Sequence, residues 1–197
     1  MLYDRDIREP LFDFLEDRFG KIRIIEEKTI GRSRADVLMV TENALIGVEI
    51  KSDADTYARL SRQIADYDLY CDSSIAVVGL RHTEHIWEHV PAWWGIITAE
   101  STQTGVSFYM DRKPRANPNC TVEKKMSILW RSELQHLLSR NGLPRHSGKN
   151  KKYIAKCIAG AVEPDALARQ ISDELFERDY TALEDRPRTR RGKRGIR

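Results

Sequence analysis

Two apolar runs three residues apart limit what this chain can fold into. Residues 35–40 (ADVLMV) and 44–50 (ALIGVEI) are rich in β-branched and aliphatic residues on both faces, with Thr41, Glu42 and Asn43 between them. Runs of this length and make-up read as strands covered by helices on both sides. The link is too short for a crossover, so they pair as an antiparallel hairpin. With a Glu42-Asn43 loop, or a symmetric four-residue turn over Thr41–Ala44, the numbers of paired residues sum to 85 and Asp36 stands opposite Glu49. A three-residue loop would instead send the two carboxylates to opposite faces.

The rest of the chain supplies the covering helices. Residues 4–19 place Ile7, Leu11, Phe14 and Leu15 at helical spacing, with Gly20 as a stop; Pro10 either starts that helix near Arg8–Glu9 or bends it. Residues 22–30 read as a strand, and 55–71 as an amphipathic helix capped by Asp53 or Asp55. A buried strand follows at 73–80, a short helix at 82–90, and strands at 94–100 and 106–110. After the proline- and asparagine-rich RKPRANPN only helical patterns remain, over 124–140, 149–160 and 164–179. The expected fold is α/β, an αβββαβ core with a mixed central sheet and a C-terminal helical extension. Its expected parts are a core over 1–112, a linker over 113–123, a helical segment over 124–180 and a basic tail over 181–197 that is disordered when unbound.

Charge is distributed unevenly along this plan. The net +3 contains +7 in residues 186–197 and +6 in residues 130–162, which leaves −10 for everything else. A polyanion, nucleic acid above all, would be held by the C-terminal third. No stretch approaches the roughly 20 apolar residues of a membrane span. The charged start MLYDRDIREP lacks the apolar region of a signal peptide, and Cys71, Cys120 and Cys157 form no Cys-x-x-Cys. Both fit a reducing, cytoplasmic setting. Oligomeric state is open, a dimer included.

The chemistry is concentrated between Arg34 and Tyr67. Side chains alternate along a strand, so Lys51 points to the same side as Glu49 and, in the register above, as Asp36. Two carboxylates that close repel unless a cation sits between them. Carboxylates, a main-chain carbonyl and water suit Mg²⁺ or Mn²⁺. A bound ion would acidify water and neutralise phosphate charge, with Lys51 as a further cation at the reacting group. The plainer reading is a salt-bridged sheet end. Against it stands the cost of setting three charges inside apolar strands. Arg59, Gln63 and Tyr67 share one face of the next helix.

An acid on one strand, Glu49-Ile50-Lys51 on the next and Gln63-x-x-x-Tyr67 on the following helix together resemble the PD-(D/E)XK nuclease superfamily, in its RecB-type branch. The resemblance covers about residues 5–80 and implies a restriction-endonuclease-like core that cuts phosphodiester bonds with Mg²⁺. Asp36, Glu49, Lys51, Gln63 and Tyr67 would be the catalytic set. Asp36, Glu49 and the Ile50 backbone carbonyl would hold the metal, with Glu9, or else Asp6 or Asp13, as the acid of the first helix. Ala35 stands where the family pattern has proline.

Further along, His82, His85 and His89 suggest a polar face rather than a zinc site, since no cysteine lies at motif spacing. Trp87, Trp93 and Trp94 read as core or groove edge. Residues 130–162 resemble a SAP-like DNA-binding motif at Gly142, Leu143, Pro144, Gly148 and Lys149; a basic helical hairpin on the core is the alternative. On that resemblance Lys149, Lys151 and Lys152 would contact phosphate, joined by Arg190 and Arg191 of the tail. The reading from sequence is a metal-dependent nuclease acting on DNA; the alternative is a non-catalytic nucleic-acid-binding or regulatory protein that keeps the fold.

Overall fold

In a computed structural model that describes residues 1–179, the elements alternate as the hydrophobic patterning requires. α1 (Asp4–Phe19) leads into the strands β1 (Arg23–Ile30), β2 (Ser33–Val40) and β3 (Leu45–Lys51). Then come α2 (Leu60–Tyr70), β4 (Ser73–Gly79), the short α3 (Ile86–His89), β5 (Gly95–Thr102) and β6 (Gly105–Arg112). The helices α4 (Val122–Met126), α5 (Arg131–Arg140), α6 (Lys151–Ala159) and α7 (Pro164–Glu177) follow. The first six elements run αβββαβ, as the sequence predicts.

All six strands form one mixed sheet in sequential order. β1–β2, β2–β3 and β5–β6 are antiparallel, while β3–β4 and β4–β5 are parallel, with α2 making the first crossover. The β2–β3 register pairs Val37 with Val48, Leu38 with Gly47, Met39 with Ile46 and Val40 with Leu45. That is the even register expected from the four-residue turn, which Thr41 N–H closes on the Ala44 carbonyl at 2.9 Å. Every residue of β3 is buried, as a central strand with helices on both faces must be.

The strand alternation divides the core in two. Ile7, Leu11 and Leu15 of α1 cover Val37, Met39, Ile46 and Val48 on one face. On the other, Leu38, Val40 and Leu45 lie in a cluster with Leu60 and Tyr67 of α2 and with Leu134, Leu137, Ile154, Ile158, Leu167, Ile171 and Leu175 of α5–α7. The C-terminal helices thus share their core with the sheet. Arg23, at the start of β1, donates to the carbonyls of Phe176 and Arg178 at the end of α7.

Some boundaries differ from the sequence reading. α2 begins at Leu60 rather than near residue 55, and neither Asp53 nor Asp55 caps it. Asp53 accepts from the Leu2 and Arg81 amides, and Asp55 from the Ser52 amide and hydroxyl, so both stabilise the loop that leads in. Pro10 lies inside α1, which starts earlier, at Asp4. The pattern over 124–140 divides into α4 and α5. Residues 180–197, including Arg190, Arg191 and the basic tail, lie outside the described residues.

Gly47 lets α2 approach β3. A Cβ there would meet the Tyr67 ring at 2.1 and 2.5 Å and Cys71 Sγ at 3.0 Å. Gly47→Ala is expected to cost about 1–3 kcal/mol, the usual range for overpacking a rigid core, measured by urea unfolding. Unchanged stability would mean that α2 is not held against the strand.

Candidate metal and nucleic-acid site

The register brings the predicted residues to one place. Continued one position past Val37 and Val48, it sets Asp36 across from Glu49 on the α2 face, since their neighbours Val37, Val48 and Ile50 belong to the α1-side core. Asp36 Oδ2 accepts from the Ile50 amide at 2.8 Å. N–H and C=O of one strand residue point to the same side, so the Ile50 carbonyl also faces β2. The paired ladder has already ended at Val37–Val48. The Tyr67 hydroxyl stands in the parting strands, accepting from Asp36 N–H at 3.2 Å and donating to the Val48 carbonyl at 3.1 Å.

Glu49 lies deeper, fully buried. Its Oε1 accepts from both Lys51 Nζ and Gln63 Nε2. Lys51 Nζ also donates to Gln63 Oε1 at 3.3 Å, so the amide of α2 braces the lysine. Glu49 Oε2 is buried with no hydrogen-bond partner. A bare buried carboxylate oxygen is costly. Burial, then the charge of Glu49, pushes the Asp36 carboxyl up to about 7 against the Ile50 amide, Lys51 and Arg8. Burial also raises Glu49, in spite of Lys51, Tyr67 and Gln63. Both shifts are what a cation between the two would relieve.

The donors fit a hard divalent ion: two facing carboxylates, one with an orphaned oxygen, and a carbonyl turned to the same gap. Among the described residues no group of three or more His, Cys, Asp or Glu is placed to hold an ion, so water would complete the shell. Glu9 is exposed. It is Arg8, one residue earlier, that reaches Asp36: Nη1 meets the Asp36 carbonyl at 3.4 Å and Nη2 lies 3.9 Å from Oδ1.

The other candidates make different contacts. Lys149 and Lys152 are exposed beside Asn150, whose side chain caps α6 through the Tyr153 amide. Lys149 lies over the Tyr153 ring, and Lys151 donates to the Ser127 carbonyl. Gly142, at φ +65°, ends α5 in the left-handed form that favours glycine. His82 is buried, with Nε2 3.0 Å from the Ser52 carbonyl, whereas His85 and His89 are exposed. Trp94 is core, its Nε1 bonded to Asp68.

A protein-family model described as bacteriophage P4 protein cII matches residues 2–194. The chain belongs to the phage P4 protein cII family. It is similar to protein cII of Enterobacteria phage P4, with 24% identity over 146 residues, or 73% of this chain and 55% of that protein. The chain therefore spans about half the length of the curated relative it matches. Among solved structures it is similar to SfsA of Pyrococcus furiosus in complex with Ca²⁺, with 16% identity, 53% of this chain and 59% of the other covered, and a TM-score of 0.33. That likeness is too slight to bear on the site of this member of the cII family. Among the described residues no helix is long and apolar enough to cross a membrane.

Proposed function

We propose that this member of the cII family binds nucleic acid, DNA above all, and hydrolyses its phosphodiester bonds with one Mg²⁺ or Mn²⁺. The observation that carries the hydrolytic reading is the orphaned Glu49 Oε2, buried opposite an Asp36 whose carboxyl is pushed up to about 7. A divalent ion there would supply a Lewis acid for a phosphoryl oxygen and acidify an attacking water. Asp36, Glu49 and the Ile50 carbonyl would hold it. Gln63 fixes Lys51 Nζ beside Glu49, leaving the ammonium to offset charge that develops on phosphate. Tyr67 holds the two strands at the spacing the carboxylates need. Lys149 and Lys152, exposed at the start of α6, would track the phosphate backbone.

A second reading, a nucleic-acid-binding or regulatory protein that keeps the fold without cutting, has its own support. Lys51 is 5% exposed and already hydrogen-bonded to Glu49 and Gln63, so the cluster can stand as a closed ion-pair network. Cleavage of single- and double-stranded DNA and RNA with Mg²⁺ or Mn²⁺ separates the two. Asp36→Ala is expected to abolish cutting and Lys51→Ala to slow it roughly 100- to 1,000-fold, the range for removing one electrostatic donor. If native and variant proteins bind nucleic acid alike and none cuts, the second reading stands and the first is wrong.

A further inference from the structure

The acid row does not end at Asp36. The β1–β2 register pairs Glu26 with Val37 and Lys28 with Ala35, which leaves Glu27 unpaired across from Asp36. Among the described residues Glu27 is the one non-glycine with positive φ, +53°, a backbone form that side-chain-bearing residues rarely hold without a reason. With this backbone its carboxylate meets Arg8 Nη2 and Arg34 Nε, each at 2.6 Å. Arg8 also bonds Asp4 at 2.6 Å and Glu26 at 3.1 Å, besides its two approaches to Asp36.

Glu27, Asp36 and Glu49 thus follow one another across three adjacent strands. Arg8 stands between the first two, and Lys51 is bound to the third. Burial opposes the charge on Arg8, but the hydrogen bond to Asp4 and the charges of Asp4, Asp36 and Glu27 outweigh it and raise its pKa, so the guanidinium is a permanent cation. Glu49 Oε2, fully buried and unpartnered, marks the other side of Asp36 as the place still short of positive charge.

We propose that the Arg8 guanidinium is a built-in cation that fills the outer position of this acid row, so that the protein binds a single divalent ion, between Asp36 and Glu49, and gains a second when Arg8 is removed. The inference deepens the metal reading given above and rests on it. Arg8 would act as a positioning residue, screening Asp36 from the acids of α1 and β1 while the Ile50 amide ties the carboxylate to β3.

Titration of the full chain with Mn²⁺, read by calorimetry and by the paramagnetic resonance of unbound Mn²⁺, tests this without any activity. Native protein and Arg8→Lys are expected to bind one ion, and Arg8→Ala two. Glu27→Gln added to Arg8→Ala should return the count to one. Two ions on the native protein, or an unchanged count in Arg8→Ala, overturns the proposal. If Arg8→Ala fails to fold, Arg8→Gln removes the charge while keeping amide donors and is expected to give the same gain. No ion on the native protein would sink the metal reading and this proposal with it, whereas one ion on the native protein with no gain in either uncharged variant would overturn the role of Arg8 alone.

Discussion

Between pH 4 and pH 7 the metal-free protein is expected to lose on the order of 3 kcal/mol of stability through Asp36 alone. The Asp36 carboxyl is raised from 3.8 to about 7 in the folded state. Well below pH 4 it is protonated whether folded or not, and its favourable contribution is complete. As pH rises, the unfolded chain ionises first, and the contribution is lost until the folded carboxyl has also ionised near 7. Above that the loss is constant. Glu49, raised in the same direction, adds to it with the same sign. A magnitude nearer 4 kcal/mol would apply to a fully enclosed group, but the Asp36 side chain is 22% exposed and solvent screens part of the effect. Asp36→Asn keeps an oxygen for the Ile50 amide while removing the charge, so at pH 8 it should be more stable than the native chain by a similar amount. Mn²⁺ should reverse that order, because ion binding releases the proton and gains up to about tenfold per pH unit below 7. Urea unfolding from pH 4 to 8, with and without Mn²⁺, reads both effects. Parallel native and Asp36→Asn curves would mean that the Asp36 carboxyl is not raised.

Arg178→Ala is expected to cost about 3–5 kcal/mol, the penalty for stranding one member of a buried ion pair. The Arg178 side chain is fully buried; Nε and Nη2 meet the two Glu133 oxygens at 2.7 and 2.6 Å, and Nη2 donates to the Ile128 carbonyl at 3.2 Å. Its guanidinium also lies 4.4 Å from the centre of the Trp130 ring. Glu133 in turn accepts from the Trp130 amide and so closes the N-terminus of α5. Removing the arginine would leave a carboxylate inside the protein and loosen α5 and the end of α7 together. Glu133→Leu combined with Arg178→Met should recover most of the loss, since well-packed apolar residues often replace such a pair at no cost. A loss below about 1 kcal/mol in Arg178→Ala would show that water reaches Glu133.

The hairpin was legible in the sequence because three constraints agree there. The apolar runs fix the strands, the short link fixes their direction, and the even register is the one that sets the acids together. From those alone Asp36, Glu49 and Lys51 fall on one face, and helical spacing adds Gln63 and Tyr67. The partners each would choose were harder to read. That Gln63 braces Lys51 while Tyr67 parts the strands depends on how closely α2 approaches β3, which Gly47 permits and no periodicity reveals. Arg8 was missed because the resemblance asks for an acid on the first helix and Glu9 was the nearest match, although Arg8 lies beside Ile7 and Leu11 on the face of α1 that meets the sheet. The Asp53 and Asp55 loop was misread as a cap because an aspartate satisfies backbone amides equally well in a turn. The splitting of α4 from α5 shows no proline or glycine between them; Ile128 and Leu129 instead continue the apolar pattern into the core.

The core shared by the sheet and α5–α7 means that the two halves of the described chain should melt in a single step. Residues 1–112 alone would expose Leu38, Val40, Leu45 and Tyr67 along a face that the later helices now cover. The lysines of α6 are therefore set at a fixed distance from Asp36 and Glu49, like marks on a ruler. Under the proposed function, the fold itself would then set the span between the grip on phosphate and the two carboxylates.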